Sequence, residues 1–177
     1  MRSGLFDLSS FVGIVMWEID LVNHQDLLEI DPDWLLGVAR ETLEREQVDV
    51  AELVIAIVDD PAIHDVNREH LQHDYPTDVI SFLYSVDESG RDLKSLGTAP
   101  RGQGLVLDGE LVISAETAIR LAGEHHLRPE QELALYLVHG LLHLCGYDDL
   151  TPDEREKMRE REQQILAIWD IVPQVDA

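Results

Sequence analysis

His139-Gly140-Leu141-Leu142-His143-Leu144-Cys145-Gly146-Tyr147-Asp148-Asp149 places two imidazoles four residues apart in a stretch dominated by leucine. On a helix, positions i and i+4 share a face with Cβ atoms about 5–6 Å apart, close enough for both rings to hold one metal ion. Gly146 can take the left-handed conformation that ends a helix, and the chain then turns so that Asp149 can point back toward the pair. The spacing predicts a three-ligand metal site of His139, His143 and Asp149 with one coordination position left for water. That is the arrangement of metal-assisted hydrolysis.

Each residue alone has an ordinary reading. A single histidine in an apolar helix is usually a core side chain with its nitrogens satisfied, and Asp148 and Asp149 could be plain turn residues. Two rings among Leu133, Leu135, Leu137, Val138, Leu141, Leu142 and Leu144 each need a polar partner. The combined spacing His-x3-His-x2-Gly-x2-Asp is what points to metal. It matches the ligand spacing of the metzincin zinc proteases, but those carry a glutamate general base directly after the first histidine. Here that place is Gly140, which argues against a conventional zinc protease. Cys145, two positions beyond His143 and so about 200° around the helix, is expected to face away as a buried small side chain.

The 177 residues are enough for one domain with a substantial core, and 45% hydrophobic with 28% charged residues is a globular balance. A lone cysteine excludes an internal disulfide and fits a reducing compartment. No apolar run reaches the roughly 18 residues of a membrane span, and residues 1–15 lack the pattern of a secretory signal, so a cytoplasmic location is expected with no membrane partner. Residues 1–13 read as an N-terminal tail and 14–177 as a single catalytic domain. The net charge of −23 opposes polyanion binding over the molecule as a whole. A nucleic-acid substrate therefore requires a local positive centre such as a metal.

Outward from the motif, the pattern alternates helices and strands. Residues 15–22 alternate as a strand. Asp31-Pro32-Asp33 opens a helix to about Arg45. Residues 52–59 form a buried strand, and Pro61 opens a second helix to about Leu71. Strands at 78–83 and 110–113 flank a glycine-, serine- and charge-rich loop over 85–105, a helix follows from Ala115 to Glu124, and Pro129 begins the histidine-bearing helix. Thr151-Pro152-Asp153-Glu154 is a capping box that starts the last helix, to about Trp169. The alternating charges of that helix, Glu154 through Glu162, read as a solvated face. The order predicts an α/β or α+β domain with a small mixed sheet packed on helices.

Several blocks in this order resemble the YbeY family of single-strand-specific endoribonucleases. They are Asn67-Arg68, Pro76-Thr77-Asp78-Val79-Ile80-Ser81-Phe82, Gly109-Glu110-Leu111-Val112-Ile113, and the segment from His139 to Asp148. The resemblance runs from about Ile14 to Ala167. It implies an α+β fold in which a four-stranded mixed sheet packs on about five helices beside a zincin-like metal-site helix. It also implies one zinc ion or another divalent metal, cleavage of single-stranded RNA, and roles in 16S rRNA 3′-end maturation and ribosome quality control. Small-subunit or ribosomal-protein partners follow from those roles, and commonly basic ribosomal proteins would suit so acidic a chain.

Two positions depart from the family's pattern. Asp149 stands where a third histidine is usual, and Leu71 where an arginine implicated in RNA contact is usual. Arg68, three positions earlier on a similar helix face, is the nearest guanidinium, and Arg91, Lys94 and Arg101 of the long loop are further candidates for RNA contact. Thr77, Asp78, Ser81 and Asp148 are candidates for supporting contacts around the metal. Two alternatives remain: a metal-dependent hydrolase of another substrate, and a non-catalytic assembly factor with structural zinc.

Overall fold

A computed structural model describes residues 16–72, 74–90 and 100–173. The proposed tail, residues 1–13, lies outside them. Four strands form one sheet in the order β1-β2-β4-β3: β1 (Met16–Asn23), β2 (Val50–Val58), β3 (Val79–Asp87) and β4 (Val106–Ser114). β1, β2 and β4 run parallel, and β3 pairs antiparallel with β4 as an edge strand. Five α-helices accompany the sheet: α1 (Pro32–Glu46), α2 (Asp60–Val66), α3 (Ala115–Leu121), α4 (Pro129–Leu144) and α5 (Pro152–Leu166). This is the α+β fold expected, with a mixed four-stranded sheet.

Local chemistry explains the boundaries. The Asp31 carboxylate accepts from the amides of Asp33 and Trp34 at the start of α1, and the Thr151 hydroxyl from Glu154 at the start of α5. In both helices proline occupies the first turn. β4 is longer than its four most apolar residues suggest, because Leu107 and Gly109 pair in register with Ala51 and Leu53 of β2. The expected α-helix to Leu71 stops at Val66 and continues as a π turn, Asn67–Leu71. There the buried Asn67 amide donates to the Tyr75 carbonyl at 2.8 Å and ties the helix end to the loop before β3.

Both sheet faces are covered. Leu53, Ile55 and Ile57 of β2 and Leu107, Leu111 and Ile113 of β4 join α1, α3, α4 and α5 in the main core. On the opposite face Val58, Ile80 and Val112 pack with Ile63 of α2. α4 supplies Leu133, Ala134, Leu137, Val138, Leu141 and Leu142, all fully buried. Cys145 is buried in the same core, as its helical position implied.

Gly140 marks where α4 comes closest to the sheet. A Cβ there would stand 2.9 Å from Leu111 Cδ2 and 3.1 Å from both Ser81 Oγ and Val79 Cγ2. At the position that carries a glutamate in metzincins, any side chain would therefore force Leu111, Ser81 and Val79 to give way. Gly140→Val is expected to destabilise the fold by about 1–3 kcal/mol through overpacking, read as a lower denaturant midpoint with an unchanged slope. An unchanged midpoint would contradict the close approach.

Candidate metal centre

His139 and His143 occupy the last two turns of α4, and the helix ends immediately after them. Gly146, at φ 92°, donates to the His143 carbonyl at 2.9 Å, and Tyr147 donates to Leu142 at 3.0 Å. This pair of bonds is the Schellman ending that a glycine permits. It reverses the chain so that Asp149 returns to the histidines. One ligand atom each from His139, His143 and Asp149 lies within 4.8 Å of the others, and all three side chains are partly accessible.

The partners of the two rings dictate their tautomers. His143 Nδ1 lies 3.1 Å from the Tyr147 carbonyl, which can only accept, so Nδ1 carries the proton. His139 Nδ1 lies 2.6 Å from a Glu162 carboxylate oxygen, which likewise takes a donor. In the neutral rings both Nε2 lone pairs are left facing each other across 3.0 Å. Two lone pairs at that distance repel unless a cation sits between them, whether a proton or a metal. Two nitrogens on a tetrahedral zinc stand about 3.3 Å apart. The pair needs to open by only a few tenths of an ångström to accept one, and the donor set of two imidazoles and a carboxylate suits zinc and its divalent neighbours.

Electrostatics agree with the geometry. Burial, the largest single influence, pushes the His139 imidazolium toward losing its proton. The hydrogen bond and charge of Glu162, with the charges of Asp78 and Asp149, outweigh it and leave the pKa raised. The pocket is thus one that favours positive charge.

Glu162 was not legible as part of this centre. The charge alternation of α5 reads as a solvated face, yet Glu162 is 9% exposed and bonded to His139. Its neighbour Arg161 reaches the fully buried Glu46 of α1 at 2.6 Å and the Arg45 carbonyl at 2.6 Å. The solvated-face reading is therefore corrected at both residues. Their partners lie 23 and 115 residues away in sequence, beyond the reach of a local pattern. A carboxylate on the distal nitrogen of a metal-binding histidine orients the ring and raises its basicity.

The other candidates fall in different places. Asp148 accepts from the amides of Asp149 at 2.8 Å and Leu150 at 3.2 Å, fixing the turn that presents Asp149. The Asp149 carbonyl is held by Arg155 at 3.0 Å. Ser81 donates to the Gly140 carbonyl at 3.3 Å and binds helix to sheet. Thr77 donates to Asp78, whose carboxylate also accepts from Val79. Asp78 lines a cleft of about 270 Å³ together with His125, Tyr136, His139, Arg159 and Glu162. His125 is held there by both oxygens of the fully buried Glu132, at 2.8 and 3.0 Å. Arg68 pairs with Asp65 at 2.6 Å. Arg101 stacks 4.7 Å from the Tyr147 ring, donates to the Gly146 carbonyl and pairs with Glu154. Arg91, Lys94 and the side chain of Leu71 lie outside the described residues.

Fold and site together define an α+β protein that carries a His–His–Asp cluster able to bind a metal at the end of a buried helix. The sequence profile of Endoribonuclease YbeY matches residues 20–170, and the chain belongs to that family. A protein of Syntrophotalea carbinolica named Endoribonuclease YbeY is 40% identical over 154 residues, covering 86% of this chain and 95% of that one. One of the same name from Salinibacter ruber is 35% identical over 138 residues, 78% of this chain and 83% of the relative. Another, from Rhodopirellula baltica, is 44% identical over 119 residues, 66% of this chain and 53% of that longer protein. The solution structure of TM1509 from Thermotoga maritima shares the fold, with a TM-score of 0.51 at 21% identity over 86% of this chain and 92% of that one.

Glu162→Gln is expected to weaken metal binding about 10- to 100-fold, measured by competition with a chromophoric chelator. Affinity equal to that of the unaltered protein would remove Glu162 from the centre.

Proposed function

We propose that this protein is a metal-dependent endoribonuclease that hydrolyses phosphodiester bonds of single-stranded RNA, ribosomal RNA precursors among them. The observation that carries this reading is the convergence of one ligand atom each from His139, His143 and Asp149, with His139 lining an open cleft. Membership of a family named for endoribonuclease activity supports the substrate class. His139, His143 and Asp149 would hold the metal, zinc by preference of this donor set. The metal would supply Lewis-acid polarisation of a phosphoryl oxygen and a bound water whose pKa falls to about 7. This chain's own residues do the rest: Glu162 and the Tyr147 carbonyl orient the two imidazoles, Asp148 presents Asp149, and Gly140 lets α4 lie close enough to the sheet to fix the ligands. Metzincins carry their general-base glutamate where Gly140 stands, which argues against a peptide substrate.

Among the described residues no helix is long and apolar enough to cross a membrane. We place the activity in the cytoplasm, with residues 14–177 acting as one catalytic domain and the acidic surface docking on basic ribosomal proteins of the small subunit.

His139→Ala should reduce cleavage of a purified single-stranded RNA to background while the melting transition persists. Retained cleavage would refute the reading, whereas coupled loss of folding would favour a structural metal. Asp149 also sets the strength of the centre, because a carboxylate ligand lowers the formal charge from +2 to +1. Asp149→His should therefore raise the cleavage rate of the zinc-loaded protein. A rate no higher, at equal zinc content, would show that the carboxylate does not weaken the metal.

A further inference from the structure

The acidic chain has few cations to offer a phosphate, and most of those described are already engaged. Arg45, Arg68, Arg101, Arg120, Arg128, Lys157 and Arg161 each pair with a carboxylate. Arg155 is bonded to the Asp149 carbonyl. Among the described residues, only Arg40 and Arg159 make neither an ion pair nor a hydrogen bond, and the two are differently placed. Both are exposed, Arg40 on α1 and Arg159 on α5. Arg159 lines the same cleft as His139, one helical turn before Glu162 on the same face of α5.

A guanidinium left without a carboxylate, in a molecule with 36 acidic residues, is a charge free to meet an incoming anion. Its planar fork matches two oxygens of a phosphate. We propose that Arg159 is the phosphate-contacting residue of the cleft, gripping the backbone of a single-stranded polynucleotide beside the phosphodiester that meets the metal. The substrate class rests on the hydrolase reading above, but the placement of Arg159 does not. Arg159 thus does what Arg68 and Arg101 were expected to do and, being paired, are poorly placed to do. The affinity it confers is electrostatic and independent of base sequence, as expected of a backbone contact.

The test uses the full chain loaded with zinc and a fluorescein-labelled single-stranded oligoribonucleotide of about ten nucleotides. Binding is followed by anisotropy on its 2′-O-methyl analogue across a salt series, and cleavage on the unmodified RNA. Arg159→Gln should raise Kd and KM about tenfold with kcat and zinc content nearly unchanged. It should also reduce the slope of log Kd against log salt by about 0.7, the contribution of one single-strand phosphate. Arg159→Lys should recover part of the affinity, and Arg40→Gln should match the unaltered protein. An unchanged salt slope in Arg159→Gln, or an equal loss in Arg40→Gln, would overturn the proposal. If the unaltered protein binds the oligonucleotide without cutting it, the hydrolase reading fails while the slope still judges Arg159. If it neither binds nor cuts, both fail.

Discussion

Two imidazole nitrogens held 3.0 Å apart, each with its other nitrogen tied to an acceptor, form the contact on which the rest of this structure is organised. Neither ring can turn away without breaking its Nδ1 bond. The Tyr147 carbonyl that anchors His143 belongs to the same helix ending that sends Asp149 back. One glycine at φ 92° thus terminates α4, fixes a tautomer and brings Asp149 back beside the pair. The Glu162 that anchors His139 requires α5 to lie against α4, and a nearly buried carboxylate is tolerable only with a charged or donating partner. The histidine pair and the helix packing therefore depend on each other.

A molecule with a net charge of −23 acting on a polyanion looks contradictory only when charge is averaged over the surface. Three of the acids are committed internally. Glu46 is fully buried against Arg161 and Glu132 against His125, while Glu162 serves His139. Field strength at the cleft is set by what lies within a Debye length of roughly 8–10 Å. There a divalent cation and one unpaired guanidinium can outweigh the nearby carboxylates.

The parts legible in the sequence were those encoded within a few residues. Asp31-Pro32 and Thr151-Pro152 announce helix starts through local side-chain to backbone bonds, and the i,i+4 histidines with Gly146 announce the ligand geometry. The illegible parts depend on residues far apart in the chain. Val106 to Asp108 continues β4 because β2 offers a register for it, although Asp108 breaks the apolar pattern. Asn67 shifts its helix into a π turn through a carbonyl eight residues on. Arg161 and Glu162 look like members of a charged solvent face, because a carboxylate on α1 or an imidazole on α4 leaves no mark on the heptad of α5. The same distance in sequence hid Arg159, whose neighbours along the chain are ordinary but whose cleft is built from the residue before β3, α4 and α5.

Whether a metal held by the histidines would serve folding or chemistry turns on what holds the rest of the fold. In small metal-dependent domains the metal supplies folding free energy because the core is too small to fold alone. Here the main cluster joins both central strands to four helices and buries Leu35, Leu43, Leu53, Ile55, Leu111 and Leu137 completely. Burial works against a charge on His139, but the hydrogen bond and charge of Glu162, with the charges of Asp78 and Asp149, leave its pKa raised, so the pair favours a cation. The Nδ1 bonds to Glu162 and to the Tyr147 carbonyl are what hold the two rings facing each other. A site oriented by its own hydrogen bonds, set in a core that folds on hydrophobic burial, would leave a bound metal free to react with a substrate.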